Sequence, residues 1–176
     1  MKSYVTYGLF IAIGNAVVTL VLYLTGFQSD PAKLVTGNYI ATVVGLAIGI
    51  YLLVLGVRTK RESIPAAQEF TYGMALGAGV LISVFATLFG SAFQFIYQSF
   101  INPGFAEVII QAQTAKFQAA GLPSDQIEKA TQFMRMMTKP AVQAVTGFFA
   151  GMIFSVVISL VVAAFLRRKA VGPSLA

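Results

Sequence analysis

Four stretches of this chain carry no charged side chain: residues 3–29, 34–57, 70–106 and 140–166. Each is longer than the run of about 20 apolar residues that crosses a bilayer as a helix. Charge is scarce overall, with 10% charged against 57% hydrophobic residues, whereas a soluble domain carries about 25% charged residues. There are too few charges to coat a water-facing surface. The chain therefore reads as an all-α integral membrane protein with four transmembrane helices, over about 4–24, 37–57, 71–100 and 140–166. Residues 1–176 form a single membrane domain.

The boundaries follow from helix breakers. Gly26, Asp30 and Pro31 end the first span, Ile64-Pro65 marks a linker after the second, and Asn102-Pro103-Gly104 stops the third. The run from Met1-Lys2-Ser3 into Tyr4–Leu24 exceeds the 7–15-residue core of a signal peptide, and no A-x-A site follows it, so it reads as a retained membrane helix. The third span, at about 30 residues, would be about 45 Å long in a hydrocarbon layer about 30 Å thick. It must tilt, bend at a glycine or project from the membrane.

Residues 104–139 hold seven charges and form an extramembrane helical insert. A break at Gly121-Leu122-Pro123 divides it into two helices, with Gly121 just past a helix end and Ser124 as N-cap ahead of Asp125. Phe105, Val108, Ile109, Ala112, Ala115 and Ala119 make one apolar stripe; Ile127, Ala130, Met134 and Met137 make another. The two stripes predict a helical hairpin that packs against itself, the membrane surface or a partner.

Orientation comes from Lys and Arg. Lys2, Arg58, Lys60, Arg61, Arg167, Arg168 and Lys169 crowd short segments at one end, while Lys33, Lys116, Lys129, Arg135 and Lys139 spread over longer segments at the other. The denser end is cytoplasmic. Both termini are then inside (N-in/C-in), and the hairpin lies on the outer face between helices 3 and 4. The same rule accounts for the net charge of +6, so no nucleic-acid partner is implied.

Cys and His are both absent. Thiolate sites, haem held by imidazole and a histidine base are excluded, and six scattered acids offer no ligand spacing. No nucleophile–base pair can be assembled. The expectation is a non-enzyme with no catalytic residue, cofactor or metal.

Contact surface is abundant instead. Gly45-x-x-x-Gly49, Gly73-x-x-x-Gly77 and Gly147-x-x-x-Gly151 are small-x-x-x-small motifs, and Ser155, Ser159 and Ala163 continue the last stripe. In lipid such stripes allow the close backbone approach that drives helix association. No Asp, Glu, Lys or Arg lies centrally in a span. The intramembrane polar groups are amides and hydroxyls: Asn15 on the first helix, and a candidate polar face of Thr87, Ser91, Gln94 and Gln98 on the third, either hydrogen-bonding between helices or lining an outward vestibule.

Three stretches carry a family resemblance: Gly56-Val57-Arg58-Thr59-Lys60-Arg61 ending the second helix, Phe70-Thr71-Tyr72-Gly73-Met74-Ala75-Leu76-Gly77 opening the third, and Phe100-Ile101-Asn102-Pro103-Gly104-Phe105 before the insert. The chain resembles an uncharacterised family of bacterial four-helix membrane proteins, the domain of unknown function forty-one ninety-nine. The resemblance implies this topology and a bacterial inner-membrane location, and no activity. The leading functional expectation is a structural or accessory subunit in membrane lipid, associating with itself or with a larger complex. The alternative is a passive channel or carrier for a small neutral or lipidic solute.

Overall fold

The computed structural model describes residues 1–170. They form six helices: α1 Lys2–Leu24, α2 Leu34–Glu62, α3 Tyr72–Ile96, α4 Phe105–Ala119, α5 Ser124–Met137 and α6 Pro140–Leu166. α1, α2, α3 with its extension, and α6 are long and apolar enough to cross a membrane, so four spans and a two-helix insert before the last one are observed. Pro140 opens α6, where its missing N–H forfeits no hydrogen bond.

α2 outruns its expected end at Val57 and continues through Glu62. The added residues Arg58, Lys60 and Arg61 are good helix formers, and the cations in the last turn oppose the helix dipole favourably. α3 does not bend at a glycine. It passes into one π-helical turn, Tyr97–Ile101, sealed by Asn102 N–H donating to the Tyr97 carbonyl at 2.7 Å. The continuous helix is 30 residues long, and Pro103 then prevents further winding.

Two glycines terminate helices in the left-handed region, Gly26 at φ 81° and Gly121 at φ 71°. After α4, Leu122 N–H reaches back to Phe117 O at 3.1 Å and Gly121 N–H to Gln118 O at 3.0 Å. This paired closure needs a residue without Cβ strain at Gly121. Ser124 departs from expectation: it is the first residue of α5 and makes no capping bond, because Pro123 takes the N-cap position. The insert stripe also shifts. Ala115 and Ala119 are exposed while Ile110 is buried, since only the first turns of α4 lie against the bundle. α4 and α5 lie side by side, joined by an Arg135–Glu107 ion pair at 3.2 Å.

α3 is the central helix, packed against α1 on one side and α6 on the other. Both contacts depend on absent side chains. A Cβ on Gly8 would lie 2.6 Å from Phe85 Cβ, and one on Gly79 would lie 2.8 Å from Ser159 Oγ. Larger residues would push these helices apart and forfeit the van der Waals contact that holds membrane helices together.

Candidate ligand cavity

The bundle is plugged at both ends. At the basic end Val57, Phe70, Ile82 and Ala163 are completely buried in one cluster. Tyr7 and Thr59 hydroxyls pair there at 2.8 Å, tying α1 to α2. Arg168 and Phe70 exchange both backbone hydrogen bonds at 2.9 Å, which fastens the end of α6 to the α2–α3 linker. The Arg168 guanidinium also donates to the carbonyls of Ile64 and Pro65, both at 3.0 Å.

At the insert end Tyr97, at the start of the π-turn, is wholly buried. Its hydroxyl donates to Gln28 Oε1 and accepts from Asn102 Nδ2 at 2.9 Å. Asn102 Nδ2 also approaches the Gln28 carbonyl at 3.3 Å. The rings of Tyr23, Phe93 and Phe105 surround the Tyr97 ring with centroids 6.0 Å away. The α1–α2 loop, the π-turn and α4 therefore meet in one apolar knot with a satisfied polar centre. Desolvated polar groups of this kind persist when they pair with one another.

Between the plugs the packing opens. α2 is buried only near its ends, at Leu34 and Gly37 and again at Leu53, Gly56 and Val57. Its middle stands away from α6. The result is a cavity of about 270 Å³ at the mid-length of all four spans. Asn15 from α1, Thr42, Gly45 and Gly49 from α2, Ser83 and Ala86 from α3, and Ser155 from α6 line it. Exposed Thr42 and Ile50 on α2 and Phe154 on α6 form its rim, so its mouth faces lipid between α2 and α6.

The polar lining is uncharged and partly committed. Thr42 and Ser83 hydroxyls donate to the carbonyls of Asn38 and Gly79, at 2.8 and 2.9 Å. Asn15 Nδ2 donates to Ile11 O at 2.9 Å, and its Oδ1 lies against Gly45. Hydroxyl lone pairs, the Asn15 carbonyl and the Ser155 hydroxyl remain to serve a guest.

The α3–α6 seam continues this lining. Gly79 touches Ser159, and Thr87 Cγ2 comes within 3.0 Å of a Cβ built on Gly151. The step from 79 to 87 equals that from 151 to 159, so the antiparallel register sets Ser83 level with Ser155 and Ser91 level with Gly147. Toward the insert a groove of about 190 Å³ runs past Thr87, Ser91, Gln94, Gln143 and Gly147. Beyond it Gln98 Nε2 donates to Gln143 Oε1 at 2.5 Å, while the buried Gln98 Oε1 has no partner.

The small-residue motifs fare unevenly. Gly45 sits at a close contact with Asn15 of α1, and Gly151 and Ser159 with α3, whereas Gly49 and Ser155 line the cavity, to which Gly45 also contributes. Gly49, Gly77 and Gly147 have nothing within 4 Å of a built Cβ, and Gly73 meets only Thr71 Oγ1 at 3.9 Å. The expectation that they mediate packing within this bundle is corrected: their faces point to lipid or to open space. The tight helix contacts are at Gly8, Gly14, Gly56 and Gly79, with Gly45 the motif glycine that joins them. Of the polar face, Thr87, Ser91 and Gln94 share the groove, Gln98 is buried against Gln143, and Asn15 belongs to the separate midplane cavity. Gln143 went unrecognised, although it precedes Gly147, Gly151, Ser155 and Ser159 at the same four-residue step. Among the described residues no three His, Cys, Asp or Glu converge on one point.

Four apolar spans around an uncharged interior define a multi-pass α-helical membrane protein. The chain belongs to the family described as Protein of unknown function (DUF4199), whose model matches residues 6–168. No curated protein and no solved structure matches it.

Proposed function

We propose that this protein is a non-catalytic component of the bacterial inner membrane that holds a small neutral or lipidic molecule in its midplane cavity. The basic end is cytoplasmic and the insert is outside, in line with the crowding of Lys and Arg. The observation that carries the reading is the 270 Å³ cavity lined by Asn15, Thr42, Ser83 and Ser155. Its volume falls just below the roughly 300–1,000 Å³ of ligand pockets, which suits a single chain or a small head group. A lining without charge favours neutral guests, since an ion in the bilayer centre lacks a counter-charge here. Saturable binding of radiolabelled hexadecanol to the nanodisc-embedded protein tests it. Wild type should bind about one alcohol per chain above the empty-disc background, and Gly49→Leu, whose side chain enters the cavity without meeting a neighbouring helix, should abolish that excess. Partitioning indistinguishable from empty discs overturns the reading.

A second reading, association with another copy or a larger complex, draws on Gly77 and Gly147, which are exposed and leave room for a foreign helix. Cross-linking in native membranes that yields only the single chain would remove it.

A further inference from the structure

We infer that one side of the α3–α6 seam is a lipid-open track, along which the uncharged polar head of a single-chain amphiphile passes between the insert end and the midplane cavity. This rests on the ligand reading above and adds its route. Two openings lie in sequence along the seam, and a third adjoins the outer one on α6. The midplane cavity uses Ser83 and Ala86 of α3 with Ser155 and Ile158 of α6. The groove next toward the insert uses Thr87, Gly90 and Gln94 with Gln143 and Gly147. On a helix of 3.6 residues per turn, Ser83, Ala86, Thr87, Gly90 and Gln94 fall within one narrow face. A third opening of about 380 Å³ shares Gln143 and Gly147 with the groove and ends at Met137 of α5. It brings the track to the foot of the insert.

The contact of Thr87 with Gly151 separates groove from cavity, so this pair is the constriction. Two further features point to a guest with a hydrogen-bonding head. Side-chain hydroxyls and amides recur along the track, and Gln98 Oε1, 4% exposed at residue level, has no donor. A buried carbonyl without a partner is costly in lipid, and Gln98 is hydrogen-bonded to Gln143, which lines both outer openings. No charged side chain lines any of the three openings. The head must therefore be neutral, while the tail stays in the surrounding lipid. The track stops at the cavity, because Val57, Phe70 and Ile82 fill the basic end. It loads the cavity from one side and does not cross the membrane.

The test is photolabelling of the nanodisc-embedded protein with hexadecanol carrying a diazirine beside the hydroxyl, read residue by residue by mass spectrometry. Wild type should be labelled near Gln143 and, saturably, near Ser155. Gly151→Leu, which closes the constriction, should keep the first label and lose at least nine-tenths of the second. Thr87→Ser, which removes the obstructing methyl, should speed cavity labelling several-fold and decides the matter if Gly151→Leu fails to fold. The same chain bearing a sulfate head should not label the cavity. Undiminished cavity labelling in Gly151→Leu, or an unchanged rate in Thr87→Ser, overturns the route while leaving the ligand reading intact. Equal labelling by the sulfate overturns the neutral head. Absence of saturable cavity label in wild type overturns the ligand reading and the track with it.

Discussion

Arg168 and Phe70 form a two-residue antiparallel bridge, each accepting the other's backbone N–H at 2.9 Å. The same arginine holds the carbonyls of Ile64 and Pro65 with its guanidinium. A residue that the sequence offers as one of three terminal cations is in fact the clasp between α6 and the linker. Arg168→Ala should destabilise the fold by about 2 kcal/mol, since hydrogen bonds to a charged group contribute about 1.5–3 kcal/mol. Arg168→Lys should recover only part of this, because its ammonium ends one bond short of the Nη2 nitrogen that serves both carbonyls. Equilibrium unfolding in detergent measures both, and equal stability of all three proteins would show that the clasp bears no load.

Tyr97→Phe tests the knot at the insert end. The ring stays, but Gln28 Oε1 and Asn102 Nδ2 lose their shared partner. Leaving buried polar groups unpaired costs about 1–3 kcal/mol. Combining Tyr97→Phe with Asn102→Ala should cost less than the sum of the two changes, with a coupling of about 0.5 kcal/mol or more. Additive losses in the same unfolding assay would mean that the hydroxyl and the amide act separately.

Gly79 and Gly77 separate true helix contact from motif. Gly79→Leu drives a side chain into Ser159 and should destabilise by about 1–3 kcal/mol or more. Gly77→Leu enters open space and should stay within about 0.5 kcal/mol of wild type. The reverse order would restore the small-x-x-x-small motif as the packing element.

That contrast also explains what the sequence could and could not reveal. The four spans were legible because a charge-free run of such length has one stable setting, and the insert because Gly121 and Pro123 interrupt it. Periodicity tells which residues share a face; it does not tell whether another helix reaches that face. Gly45 and Gly49 share one, yet Gly45 meets Asn15 of α1 while Gly49 meets only the cavity. Gln28, Tyr97 and Asn102 carry no local signal, since they come together only when a loop, a π-turn and the start of α4 converge. Tyr97 is the buried centre of that knot.

The absence of cysteine makes the orientation directly measurable. Ser63 and Ser124 are both exposed, one in the α2–α3 linker and one at the start of α5. In intact cells an impermeant maleimide should label Ser124→Cys at once and Ser63→Cys only after lysis. Labelling of both in intact cells would contradict the proposed N-in/C-in threading.

The chain also has no tryptophan, so Phe154→Trp places a single fluorophore at the cavity rim, and Phe165→Trp places a control on a surface 81% exposed. Quenching by dibrominated hexadecanol in nanodiscs is the most direct measurement of whether the cavity takes a neutral amphiphile. Occupancy predicts quenching at position 154 that saturates and is reversed by unbrominated hexadecanol, alongside linear, irreversible-by-competition quenching at position 165. Linear, non-competed quenching at both positions would contradict it.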